Sequence, residues 1–273
     1  VDNCENRGDA LAIIDLENDG VGTGMYQPNT ENNTTEKARV DAQNIDTVRT
    51  KLEDREINSS YGCTYYPWVQ VRDDNTGAIL KVPPSVVALG AMSFSEAQQA
   101  PWFAPAGFTR GGLSNGAIGL NVVGVTHKLT SEDRDKLYEA NVNPIATFPS
   151  EGIVVFGQKT LQVTPSALDR INVRRLLILL KKEVSNIAAT TLFEQNQQAT
   201  WLSFSTRVKR FLTGVKSQLG LTDFKVVLDE TTTTPDLIDR NVMYAKIFLK
   251  PARSIEFIAL DFIITDSGAS FED

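Results

Sequence analysis

The 273-residue sequence predicts a mixed α/β unit followed by an α+β unit, and three observations carry that expectation. An apolar run, an amphipathic stretch and a second strand-like run fill residues 10–71 in β-α-β order. Two long helical patterns and three strand-like runs follow residue 165. Between these regions, small residues crowd the stretch from Gly107 to Gly119, so the boundary is expected at 118, dividing the chain into 1–118 and 119–273.

The first strand is expected at "ALAIIDL", Ala10 to Leu16, a continuous apolar run suited to a strand buried on both faces of a parallel sheet. "EKARVDAQNIDTVRTKLED" places Val40, Ile45, Val48 and Leu52 near helical spacing with charges between them, as a crossover helix requires. "YGCTYYPWVQV", Tyr61 to Val71, is expected as one further strand. Pro83-Pro84 sets an extended entry to a short helix, and "QQAPWFAPAGFTRGGL" returns as a Pro/Gly-rich loop leading into a linker, "GGLSNGAIG".

Thr130 or Ser131 is the expected N-cap of a short helix with acids in its first turn, ending between Asn141 and Pro144. A strand is expected from Gly152 to Val163. In "SALDRINVRRLLILLKKEVSNIAA", Ile171, Leu176, Leu179, Leu180, Val184 and Ile187 make a broad apolar side, with Arg174 and Arg175 placed elsewhere. In "TWLSFSTRVKRFLTGVKSQLG", Phe204, Val208, Phe211, Leu212, Val215 and Leu219 make a stripe ending at Gly220. "FKVVLDE", "RNVMYAKIFLKP" and the terminal run complete the chain as strands.

Composition excludes several function classes. With a net charge of -7, general nucleic-acid binding is disfavoured, although the charge is uneven: residues 1–150 hold 12 Lys/Arg against 20 Asp/Glu, and residues 151–273 hold 15 against 14. Cys4, Cys63 and a single histidine, His127, supply no zinc set and no CxxC spacing, and no cofactor or metal is expected. No apolar stretch approaches a membrane span of about 20 residues. A triad drawn through His127 lacks a GxSxG elbow, and no Walker A or GxGxxG run occurs. Asp229 and Glu230 are read as a strand end entering a Thr-rich loop, where hydroxyls satisfy the backbone. The first residues read as the middle of an α/β unit, so a fragment, or a chain whose first part lies upstream, is expected.

The order of "CENRGDALAIIDL", "YYPWVQV", "VPPSVVALGAMSFSEAQQAPWFAPAG", "LTSEDRDKLYEANVNPIATFPSEGIVVFGQKTL", "INVRRLLILLKKEV", "LFEQNQQATWLSFSTRVKRFL" and "KVVLDETTTT" resembles the contractile tail sheath proteins of tailed bacteriophages. The sequence departs from the common pattern at Gln158 and Gln195, where Arg or Asn is often expected. The resemblance implies a structural, non-enzymatic subunit polymerised as stacked rings around a tail tube, shortening when a baseplate triggers it. It implies a subtilisin-like, non-catalytic outer domain over 1–118 and an inner domain over 119–273. The implied partners are further sheath subunits, the tube, the baseplate and a tail terminator, with no nucleic acid and no membrane insertion. The implied location is the virion tail, assembled in the host cytoplasm. A tailocin or secretion-system sheath is the alternative of the same class, and a subtilisin-like hydrolase the alternative of a different one.

Two surfaces are expected to serve such a subunit. Ile255 to Thr265 would span about 36 Å as a strand, apolar on both faces and hazardous if left exposed. The segment from Ile255 to Leu260 is expected to pair at home, and Asp261, Phe262, Ile263, Ile264 and Thr265 to add a strand to a neighbouring subunit. Arg207, Lys209, Arg210 and Lys216, opposite the stripe of the second long helix, are expected to face an acidic tube.

Overall fold

A computed structural model describes residues 1–16, 27–28, 45–113, 118–256 and 258–259. Within them the strands sort into three sheets. The first has the order β1 (Ala12–Asp15), β3 (Gly62–Tyr66), β7 (Asn143–Phe148), β8 (Gly152–Val155). Strands β1, β3 and β7 run parallel and β8 returns antiparallel to β7. The second is antiparallel, with the order β2 (Gln27–Pro28), β5 (Ile79–Val82), β4 (Val69–Arg72), β6 (Val122–Val125). The third pairs β9 (Leu221–Val227) with β10 (Lys246–Pro251).

The expected β-α-β unit is present, with parallel β1 and β3 and, before β3, a helix after α1 (Asp2–Arg7): α2 (Ile45–Glu53), which buries Ile45, Val48 and Leu52. Two expectations about its strands need correction. Tyr61 to Val71 is two strands, because the chain turns at Tyr66-Pro67 and sends β3 into one sheet and β4 into another. The doubly buried strand is β3, buried at all five positions; β1 is an edge strand, partly exposed from Ala12 to Ile14.

Helix α3 (Pro84–Gln98) is longer than its entry signal suggested, and its Val87, Ala88, Ala91 and Met92 join Cys63, Tyr65, Val69, Ile145 and Val155 in one core. The start of the glycine-rich stretch is tied to β8. Short helix α4 (Gly107–Arg110) leads to Gly111, whose carbonyl accepts from Val155 at 2.8 Å, while Leu113 N–H donates to Ile153 at 2.8 Å. A Cβ at Gly111 would come within 2.5 Å of the Val155 carbonyl, which is why a glycine stands there. A division at 118 runs through the first sheet, since β1 and β3 precede it and β7 and β8 follow it.

Helix α5 (Ser131–Glu139) starts at Thr130, whose hydroxyl accepts from Asp133 N–H while Asp133 accepts from Thr130 N–H, a reciprocal capping box. After it comes β7, where helix-ending turn residues were expected. Asn143 is fully buried there; it donates to the carbonyls of Thr64 and Lys159 and accepts from Lys159 N–H at 2.6 Å. Beyond Val155 the expected strand ends, and Lys159 makes only an isolated bridge to Arg170.

The back of the molecule is built on α6 (Ile171–Ala189) and α7 (Gln198–Ser217). Leu176 and Leu180 of α6 meet Phe204, Val208, Leu212 and Val215 of α7, with Trp102 from the front half and Leu221 and Val226 of β9 closing the cluster. Leu219 leaves the expected stripe. The helix stops at Ser217, Leu219 turns out at φ 63° and is 70% exposed, and Gly220 packs where a Cβ would meet Val215 at 2.7 Å. After the short helix α8 (Pro235–Asp239) the chain enters β10.

Candidate assembly interface

Strands β9 and β10 pair from Lys246↔Val227 through Lys250↔Asp223. Ile247, Leu249, Phe224 and Val226 face the helices α6 and α7, whereas Phe248 on the other face is 55% exposed. Two-stranded sheets are marginal in water without such backing. Among the described residues each of the two strands has one neighbour, so each presents an edge of unpaired N–H and C=O groups.

The Thr-rich loop before α8 behaves as expected. Asp229 accepts from Thr231 N–H at 2.9 Å, Thr232 Oγ1 accepts from Asp229 N–H at 3.0 Å, and Thr233 Oγ1 accepts from Tyr244 N–H at 3.1 Å. His127 is a half-buried loop residue whose ring lies 6.4 Å from that of Tyr66.

Past β10 the chain does not form the expected home hairpin: residues 252–256 and 258–259 are in no strand, with Ile255 83% and Ile258 77% exposed. The segment is held instead by polar contacts. Ala252 N–H donates to the Gly220 carbonyl at 3.1 Å. Glu256 accepts from Arg170 Nε at 2.6 Å and Gln158 Nε2 at 3.1 Å through Oε1, and from the Tyr138 hydroxyl at 3.0 Å through Oε2. Lys159 donates to the Tyr138 carbonyl at 2.6 Å and lies 4.4 Å from its ring centre.

Burial, then the Glu256 charge, pushes the Tyr138 hydroxyl well above its usual range and keeps it a donor. Burial, then the Arg170 charge, pulls Lys159 down. For Arg170 burial acts downward, but the hydrogen bond and charge of Glu256 outweigh it and the net shift is upward. These partners come from four separate stretches of chain, and no short motif announces them. Asp261, Phe262, Ile263, Ile264 and Thr265 lie outside the described residues.

Arg207, Lys209, Arg210 and Lys216 are all exposed on α7. They do not form one patch: at 3.6 residues per turn Arg207 and Lys209 point about 160° apart. Arg207 donates to Thr190 and Thr191 at the end of α6, and Lys216 pairs with Asp223 of β9 at 2.8 Å. Arg210 borders a hollow of about 600 Å³ floored by Trp102, Leu179 and Phe211.

The back of the molecule thus sets α6 and α7 against a two-stranded sheet whose outer edges are unpaired among the described residues. Residues 163–265 match the family model described as the phage tail sheath C-terminal domain. The tail sheath protein of Vibrio phage KVP40 is 41% identical over 192 residues, 70% of this chain and 28% of that protein. The tail sheath protein of Enterobacteria phage T4 is 36% identical over 192 residues, with the same coverage of 70% and 28%. Among solved structures, the helical sheath of the anti-feeding prophage in its contracted state superposes with a TM-score of 0.64 at 27% identity, over 76% of this chain and 56% of that one. Residues 163–265 therefore match the C-terminal domain of phage tail sheath proteins, and the chain is similar to such proteins over most of its length. It spans 28% of the length of the two phage relatives.

Proposed function

We propose that the chain is part of a structural, non-enzymatic subunit of a contractile tail sheath, which polymerises helically around the tail tube and shortens to drive the tube through the host envelope. The observation that carries this reading is the β9–β10 sheet, each strand of which has a single neighbour among the described residues, beside a following segment in which Ile255 and Ile258 are exposed. Residues 261–265 of one subunit complete such an edge on another, removing an aggregation-prone surface and making a directional link. The tube, the baseplate and a terminator are the other partners, and the subunit acts in the virion tail after assembly in the host cytoplasm. Of the bases on α7, Lys209 and Arg210, which make no ion pair among the described residues, supply weak, repeated contacts to an acidic tube.

The parallel β1–β3–β7 arrangement supports the subtilisin-like reading of the outer part. Because the first sheet spans position 118 and the family match starts at 163, we place the inner domain from 163. An injection-system sheath is the second reading, favoured by the likeness to the anti-feeding prophage sheath.

Pelleting of the full-length subunit tests the link. Ile263→Pro removes a ladder donor and is expected to keep the protein in the supernatant, while Ile263→Thr keeps the donor and pellets like the parent. Equal pelleting by both variants contradicts strand addition.

A further inference from the structure

A cleft of about 720 Å³ lies between α5, the loop of Trp102 and Phe103, and residues 252–256. Two amides line it, each only 4% exposed: Gln158 and Asn172. Their nitrogens are fixed by acceptors. Gln158 donates to the Glu256 carboxylate at 3.1 Å, and Asn172 donates to the Trp102 carbonyl at 3.3 Å and to Ser254 Oγ at 3.2 Å. Flipping either amide would set an oxygen against an oxygen, so Gln158 Oε1 and Asn172 Oδ1 are true acceptors, and among the described residues neither has a donor. Buried acceptors without donors are uncommon and call for a donor, which water or an N–H group of an occupant can supply.

The rest of the cleft narrows the chemistry. Arg110, Arg134 and Arg253 line it, and among the described residues none of them pairs with a carboxylate; Arg110 donates to the Ala104 carbonyl and Arg134 lies over the Phe148 ring. The wall also carries Asp135, and Trp102, Phe103 and Phe156 give it an aromatic lining. An acidic peptide with one aromatic side chain meets all three demands: main-chain N–H for the amides, carboxylates for the arginines, a ring for the wall.

We propose that this cleft receives residues 266–273 of a second copy of the chain. That segment, "DSGASFED", carries Asp266, Glu272 and Asp273, Phe271 and no Lys or Arg. The inference rests on the sheath reading: Leu219, shortly before β9, and Ala252, just after β10, line the cleft, so a neighbour's residues 261–265 laid on the sheet edge would bring the residues after them beside its mouth.

The test uses the full-length subunit with a benzoylphenylalanine at position 106 or, separately, at the exposed position 131, both on the cleft wall. Heavy- and light-isotope subunits are mixed, assembled, checked for tubes by electron microscopy, irradiated and analysed by mass spectrometry. Cross-links from either position to residues 266–273, including mixed heavy–light pairs, are expected. Reversing both Arg134 and Arg253 to Glu is expected to cut their yield by about tenfold. Tubes that give only same-isotope pairs, cross-links elsewhere or none overturn this inference and leave the sheath reading standing. Failure of the unlabelled parent to form tubes overturns both.

Discussion

Arg170 and Glu256, 86 residues apart in sequence, meet at 2.6 Å and anchor the terminal segment to the start of α6. The pair is partly buried, with side-chain exposures of 26% and 16%, and Tyr138 and Gln158 complete the shell of the carboxylate. The pair fixes the chain at Glu256, just before the residues proposed to be exchanged.

Removing one partner of this pair strands the other. Arg170→Ala and Glu256→Ala are each expected to destabilise the subunit by about 1–3 kcal/mol in chemical denaturation. The joint replacement Arg170→Ala with Glu256→Ala is expected to cost less than the sum of the single changes. Additive losses would mean that the two side chains are not coupled.

The cap of α5 gives a pH-dependent prediction. Hydrogen bonds from the Thr130 backbone and hydroxyl hold the Asp133 carboxyl below its ordinary pKa. A depressed carboxyl contributes stability that is present above its unfolded value, about 3.9, and fades as pH falls through the lower folded value. Thr130→Ala is therefore expected to cost about 1 kcal/mol near neutral pH. Its penalty in thermal melts should shrink below about pH 4. An unchanged penalty down to pH 2 would remove Asp133 from the capping account.

Much of this was legible in the sequence, and the failures have physical causes. The period of α7 placed Phe204, Val208, Leu212 and Val215 in the core because that helix buries a single stripe. Helix α6 misled, since it serves two cores: Ile171 belongs to the front one and Leu176 and Leu180 to the back one. Arg174 and Arg175, placed away from the apolar side in the sequence reading, are consequently enclosed. Arg174 stacks 3.9 Å from the Tyr61 ring centre and donates to Ser60, and Arg175 reaches Glu96 at 2.9 Å. Asn143 and Pro144 look like turn formers, yet they stand in β7, where Asn143 spends its amide on neighbouring backbone. The Glu256 clasp joins residues too far apart for any local pattern.

The exposed bases of α7 separate into two kinds. Lys216 already pairs with Asp223, so Lys216→Glu places two acids together and is expected to weaken the β9 contact itself. Lys209→Glu with Arg210→Glu leaves the fold intact and is expected to lower assembly on purified tail tubes. Single exposed contacts are worth roughly 0–1 kcal/mol, and in the proposed sheath they would repeat around every ring. Co-sedimentation with tubes at the parental level would take these residues out of the tube contact.

The most direct measurement is electron microscopy of the full-length subunit with and without residues 261–273, alongside a thermal melt of each. The account predicts tubes of uniform width for the intact protein, and for the truncated one a cooperatively melting subunit that forms none. Tubes from the truncated protein, or loss of its cooperative melt, would contradict the assignment of this segment to a neighbouring sheet.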